Sequence, residues 1–97
     1  MIVIWTSLAR RRLRQVHRRL ARVNEAAALR VVGDITARSG QLERFPDSGR
    51  ALPEFENRYL RELIEGEYRV TYERFPDRVE IITVMHAAMS LDTELGN

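Results

Sequence analysis

Residues 68–85 read Tyr68-Arg69-Val70-Thr71-Tyr72-Glu73-Arg74-Phe75-Pro76-Asp77-Arg78-Val79-Glu80-Ile81-Ile82-Thr83-Val84-Met85. Tyr68, Val70 and Tyr72 alternate with Arg69, Thr71 and Glu73, the period of two that gives a strand one apolar and one polar face. Phe75-Pro76-Asp77-Arg78 interrupts the pattern with turn residues. Val79 to Met85 then runs apolar toward both faces, as a strand covered on both sides does. Upstream, Tyr59 to Ile64 is a further strand-like run, joined to Tyr68 by the turn Glu65-Gly66-Glu67. Short turns between successive strands predict a three-stranded antiparallel meander.

Before residue 45 the period changes to that of helices. Ala9, Leu13, Val16 and Leu20 recur at spacings of four, three and four, one apolar stripe. Thr6 or Ser7 is placed to cap this helix, and Asn24 to cap a second one, with Glu25 in its first turn. The second stripe is Ala28, Val32, Ile35 and Leu42, interrupted by Gly33, which marks a close helix approach. The short link between the helices predicts an antiparallel hairpin. Phe45-Pro46-Asp47-Ser48-Gly49-Arg50 reads as the turn that follows, and Ile2 to Trp5 as a short opening strand. The expected fold is α+β: a short N-terminal strand, then an antiparallel two-helix hairpin packed on a C-terminal antiparallel meander, in one domain spanning 1–97. Ser90 to Leu95 is expected to add a helical turn.

Composition removes several function classes. The 97 residues contain no cysteine, which excludes disulfides, thiolate metal sites and a cysteine nucleophile. Two distant histidines argue against a zinc site. Apolar stretches are far shorter than the roughly 20 residues of a membrane helix. Met1 to Trp5 is too short for a signal peptide, and the arginines follow it instead of preceding it. A reducing cytosol is the expected setting.

Charge is distributed unevenly. All 16 basic residues are arginine. Residues 1–50 carry 11 arginines against 4 acids, and residues 51–97 carry 5 against 10, so a net charge of +2 conceals halves of +7 and −5. Either the first half meets an anionic partner, or the two halves neutralise one another in the fold. Seven arginines fall between Arg10 and Arg22. This stripe lacks an aromatic residue for base stacking, which leaves three readings: a solvated face, a docking face for an acidic protein, and a phosphate-binding surface.

Candidate catalytic groups are sparse. Metal-free phosphodiester cleavage needs a base, an acid and a cation. Arg61, Arg69, Tyr72 and His86 are the available residues. Arg69 and Tyr72, three positions apart, point to opposite faces of their strand. His86 is followed by Ala87, Ala88 and Met89, which supply no acid, base or cation. Glu54/Glu56 and Glu65/Glu67 lie at turns without flanking ligands and read as exposed charge. No Gly-rich phosphate loop or serine elbow is present. No metal and no cofactor is expected.

The order of these features resembles a known superfamily. Trp5-Thr6-Ser7-x-Ala9 opens the first helix, and Leu42-x-x-Phe45-Pro46-x-x-Gly49-Arg50 follows the hairpin. Leu60-Arg61-x-Leu63, Tyr68-Arg69-Val70-x-Tyr72 and Val79-x-Ile81-Ile82-x-Val84-Met85-His86 complete the series. From about Ile4 to Leu95 the chain resembles the RelE/ParE superfamily of type II toxin–antitoxin toxins. The resemblance implies one of two activities. In the RelE branch it implies a ribosome-dependent messenger-RNA endonuclease, with Arg61, Arg69 and His86 as catalytic candidates. That branch carries a further arginine and a tyrosine where this chain has Ala87 and Thr93, and its sites contain lysine.

His86-Ala87-Ala88-Met89-Ser90-Leu91, with Leu95 beyond, is closer to the ParE branch. That similarity implies a plasmid-stabilisation-type toxin that binds DNA gyrase, traps its cleaved complex and performs no chemistry itself. Arg11, Arg14, Arg18, His86, Met89 and Leu91 are then the target-binding candidates, toward gyrase or gyrase-bound DNA. The resemblance also implies a ParD-like antitoxin held in a hetero-oligomer. A family member that binds its antitoxin but is no longer toxic is the remaining alternative.

Overall fold

The structure, a computed structural model, describes residues 1–55, 58–91 and 94. The described elements are β1 (Ile2–Trp5), α1 (Ser7–Ala21), α2 (Glu25–Gly40), a 3-10 turn (Gln41–Glu43), β2 (Arg50–Ala51), β3 (Leu60–Glu65), β4 (Tyr68–Arg74) and β5 (Arg78–His86). The strands form one sheet in the order β1-β5-β4-β3-β2. β3, β4 and β5 make the expected antiparallel meander. β1 does not lie apart from it. It pairs parallel to β5, Val3 opposite Val79 and Trp5 opposite Ile81, so the sheet is mixed. Arg50, expected in a turn, instead opens β2 and pairs with Glu62 across to β3.

Both helix starts are fixed by side-chain caps. The Thr6 hydroxyl accepts from the Ala9 N–H at 3.2 Å, and Asn24 Oδ1 accepts from the Ala27 N–H at 3.0 Å. Thr6 also ends β1. Its N–H and its hydroxyl both donate to the Ile81 carbonyl, at 3.1 and 2.7 Å. The chain thus leaves the sheet at Thr6 and turns directly into α1. Beyond Ile81 the outer edge of β5 has no strand partner among the described residues.

The core lies between the hairpin and one face of the sheet. Ala9 and Val16 of α1, Ile35 of α2 and Leu42 meet Leu63, Val70, Tyr72, Val79, Ile81 and Val84. Leu13 and Leu20 flank this cluster, as their spacing requires. In α2, Val31 packs on the core, whereas Val32 lies in the outer groove between the helices. Gly33 is exposed, and a Cβ built on it meets nothing within 4 Å, so it does not mark a close helix approach. A second, smaller cluster covers the opposite sheet face: Leu52, Leu60, Met85 and Leu91, with Phe55 and Ile82 against them. The register shifts by one residue between Thr71 and Tyr72, where Thr71 faces Thr83 and Tyr72 faces Ile81. This bulge at Ile82 places an extra residue on the second cluster's face.

Of the expected C-terminal turn, Leu91 and Glu94 have helical conformation; Thr93 and Leu95 lie outside the described residues, as does Glu56.

Candidate functional site

Where β1 stops short of β5, a groove of about 310 Å³ opens between α1 and the free edge of β5. Its walls include Arg12, Gln15 and Arg19 from α1, Tyr68 from β4, and His86 and Met89 from the C-terminal segment. Arg19 donates to the buried Tyr68 hydroxyl at 2.7 Å, which fixes one wall. The His86 ring meets Tyr68 edge-on, with centroids 5.8 Å apart. His86 Nδ1 accepts from the Ala88 N–H at 3.2 Å, so this nitrogen caps the turn that follows the strand. Its Nε2 lies 4.0 Å from Glu67.

Glu94 closes the far end. Arg12 Nη2 donates to Glu94 Oε2 at 2.9 Å, Arg12 Nε donates to Oε1, and Thr83 donates to Oε1 at 3.0 Å. The fork of donors is the strong, charge-assisted form of an ion pair. It holds the Glu94 carboxyl below its ordinary value, chiefly through the Arg12 hydrogen bonds, against an opposing effect of burial. The Arg12 guanidinium is shifted up by the same pair.

Arg69 secures the segment from the other sheet face. It donates to Glu62 Oε2 at 2.8 Å and to the Met89 carbonyl at 3.2 Å. Glu62 is buried and also accepts from Arg50, so one carboxylate bridges two guanidiniums. Arg69 is therefore a structural clamp on the 86–91 segment. Arg61 sits elsewhere. It pairs with Tyr72 across the ladder and donates to the Asp47 and Gly49 carbonyls at 3.1 and 2.7 Å.

The three nuclease candidates are thus dispersed. Arg69 is on one sheet face; Arg61 and His86 are on the other, beside Tyr72 and Tyr68 at opposite ends of β4. Arg69 and Tyr72 do point to opposite faces, as alternation requires.

The target-binding candidates form two groups. Arg11, Arg14 and Arg18 are exposed on α1, three and four positions apart, and so share a face. His86 and Met89 line the groove with Arg12, Gln15 and Arg19 of the same helix, whereas Arg14 and Arg18 border a separate groove with His17 and Val32, so the two groups occupy different faces of α1. Leu91 departs from expectation. It is 5% exposed and packs into the second cluster, so its side chain anchors the segment and is not presented to a partner.

The two charge readings also separate. All five arginines of the second half have a carboxylate within 4.0 Å: Arg58 with Glu73, Arg61 and Arg74 with Asp47, Arg69 with Glu62, and Arg78 with Asp77 and Glu80. Among the described residues Arg11, Arg14, Arg18 and Arg22 have no such partner, so the second half's acids leave most of the α1 stripe uncompensated.

Sequence reasoning missed Glu62, Arg12 and Glu94. Glu62 offered a weak signal, an acid between Leu60 and Leu63 in an apolar run. Its partners depend on strand register, which periodicity does not supply.

A small mixed sheet under a helical hairpin, with a basic helix beside a C-terminal segment, defines a class known among solved structures. The chain superposes on one described as "Chromosomal ParDE TA system from P. aeruginosa" with a TM-score of 0.75 and 19% identity, over 89% of this chain and 95% of that one. Residues 3–91 match the family described as the ParE toxin of the type II toxin–antitoxin system parDE, and the chain belongs to that family. None of the curated proteins matches it by sequence.

Proposed function

We propose that this chain is a gyrase-directed toxin that acts by binding, and that a ParD-like antitoxin neutralises it in a cytoplasmic hetero-oligomer. The observation that carries this reading is that α1 bears exposed arginines with no carboxylate within 4.0 Å among the described residues, while another face of the same helix walls the groove of the clamped 86–91 segment. A poison needs only higher affinity for one state of its target, here the cleaved complex, and no chemistry of its own. Arg11, Arg14 and Arg18 supply attraction for gyrase-bound DNA or an acidic gyrase surface. His86 and Met89, half-exposed and exposed in the groove along the same helix, supply the specific contact. The same basic helix suits an acidic antitoxin segment that folds on it. Among the described residues no helix is long and apolar enough to cross a membrane.

The dispersal of Arg61, Arg69 and His86 weighs against the RelE-type nuclease. Arg69 already neutralises a buried carboxylate, and removing it from that role to serve a transition state would leave Glu62 with Arg50 alone. The test is induced expression without antitoxin of the parent and of the Arg11→Glu, Arg14→Glu, Arg18→Glu triple variant. The parent arrests growth with messenger RNA intact, and the folded triple variant is at least tenfold less toxic, about 1.4 kcal/mol of lost binding. Full toxicity in the folded variant, or cleaved messenger RNA with the parent, contradicts the reading.

A further inference from the structure

We propose that the end of the sheet formed by β3, β4 and the 45–49 loop binds single-stranded nucleic acid, with a base stacked on Tyr59 and its phosphate held by Arg74 and Arg61. Arg61 faces Tyr72 across the ladder, and Arg74 donates its N–H to the Tyr59 carbonyl at 2.9 Å, so Tyr59 faces Arg74. Alternation then puts Tyr59, Arg61, Tyr72 and Arg74 on one sheet face. A cleft of about 310 Å³ lies there, walled by Asp47, Tyr59, Arg61, Arg74, Phe75 and Pro76, with no helix residue among them. That volume is at the lower end of the range for small-ligand clefts.

The cleft already seats an anionic oxygen. Asp47 Oδ1 lies 3.1 Å from Arg74 Nε and 3.8 Å from Arg61 Nε. Two guanidiniums share one carboxylate, which leaves a positive surplus. The Asp47 side chain is 60% exposed on a loop, so a phosphate can take its place while it turns to water. Arg61 is held ready by its bonds to the Asp47 and Gly49 carbonyls.

Tyr59 selects the kind of anion. It is 80% exposed, a large ring in water beside a cationic rim. Every base has a face that stacks on such a ring, worth roughly 1–3 kcal/mol per base. An acidic peptide would use the arginines but gain little from the ring. The α1 stripe, with no aromatic residue, lacks this pairing. Oligonucleotide binding at this cleft does not depend on gyrase, and the measurement contains none, so either activity can fail alone.

The probe is a fluorescein-labelled oligothymidylate of about twelve nucleotides, a length suited to one small domain. It is titrated by anisotropy with the purified full chain at low salt. Tyr59→Ala weakens binding roughly 5- to 150-fold, as loss of one stacked base requires. Tyr59→Phe retains the affinity, and Asp47→Asn tightens binding by freeing the two arginines. Poly-glutamate binding is indifferent to Tyr59→Ala. Equal affinity of parent and folded Tyr59→Ala for the oligonucleotide overturns the proposal, because the α1 stripe alone would then explain binding. An equal loss of poly-glutamate binding in Tyr59→Ala also overturns it, in favour of an acidic peptide.

Discussion

Single residues decide how the ends of this sheet are fastened. Tyr72 is fully buried, and its hydroxyl accepts from the Gly49 N–H at 2.9 Å and donates to the Pro46 carbonyl at 2.8 Å. Gly49 has no room for a side chain, since an added Cβ would lie 2.7 Å from the Glu62 carbonyl oxygen and from the Tyr72 ring. At the opposite end Arg12 and Glu94 do the fastening. Because Glu94 is held below its ordinary value of 4.5, its carboxylate contributes stability in full above that value. The contribution is lost as pH falls through the ordinary value and then the depressed folded one. Glu94→Gln should therefore be less stable than the parent at neutral pH by on the order of 1–2 kcal/mol. The gap should narrow as pH falls through the ordinary carboxylate value and close once the folded-state carboxylate is protonated. Urea melts of both chains across pH measure it, and a gap that persists unchanged in acid would contradict the role of the charge.

At the scale of elements, each helix is set by its cap and its stripe, and α2 carries an avoidable cost. Gly33 is exposed in mid-helix with open space where a Cβ would go. Gly33→Ala should stabilise the chain by roughly 0.5–1 kcal/mol through the unfolded state. That is a rise of about 3–8 °C in a thermal melt, and a lower melting temperature would contradict the open packing. The helices and β3 to β5 were legible because burial on one face imposes a period, and Thr6 and Asn24 because capping imposes a residue type. β2 was not, since two residues cannot display alternation. Nor was the parallel pairing of β1 with β5, because a strand's pattern records its burial and not its neighbour. The second cluster escaped for a related reason: Leu52, Phe55 and Leu91 lie in irregular segments. The candidate site was half legible. Arg11, Arg14 and Arg18 share the face that their spacing gives. The clamp of Arg69 on Glu62 and Met89 arises from register and from chain return, neither of which leaves a local signature.

For the whole molecule, the uneven charge of the two halves survives folding. Arg58, Arg61, Arg69, Arg74 and Arg78 use nearby carboxylates, mostly from their own half, while most arginines of α1 have none within 4.0 Å among the described residues. An exposed surface of this kind loses attraction as salt screens it. The groove beside α1 is bounded by a segment that is tied down twice, by Arg69 at Met89 and by Arg12 at Glu94. The fold thus puts a basic face and the wall of a fixed, half-apolar groove on one helix, and the proposed binding of a large charged target uses both. The most direct measurement is a gyrase assay on relaxed plasmid with ATP and the purified chain. The account predicts that supercoiling stops and that linear, protein-linked DNA accumulates. Unchanged supercoiling at a large molar excess of folded chain would contradict it.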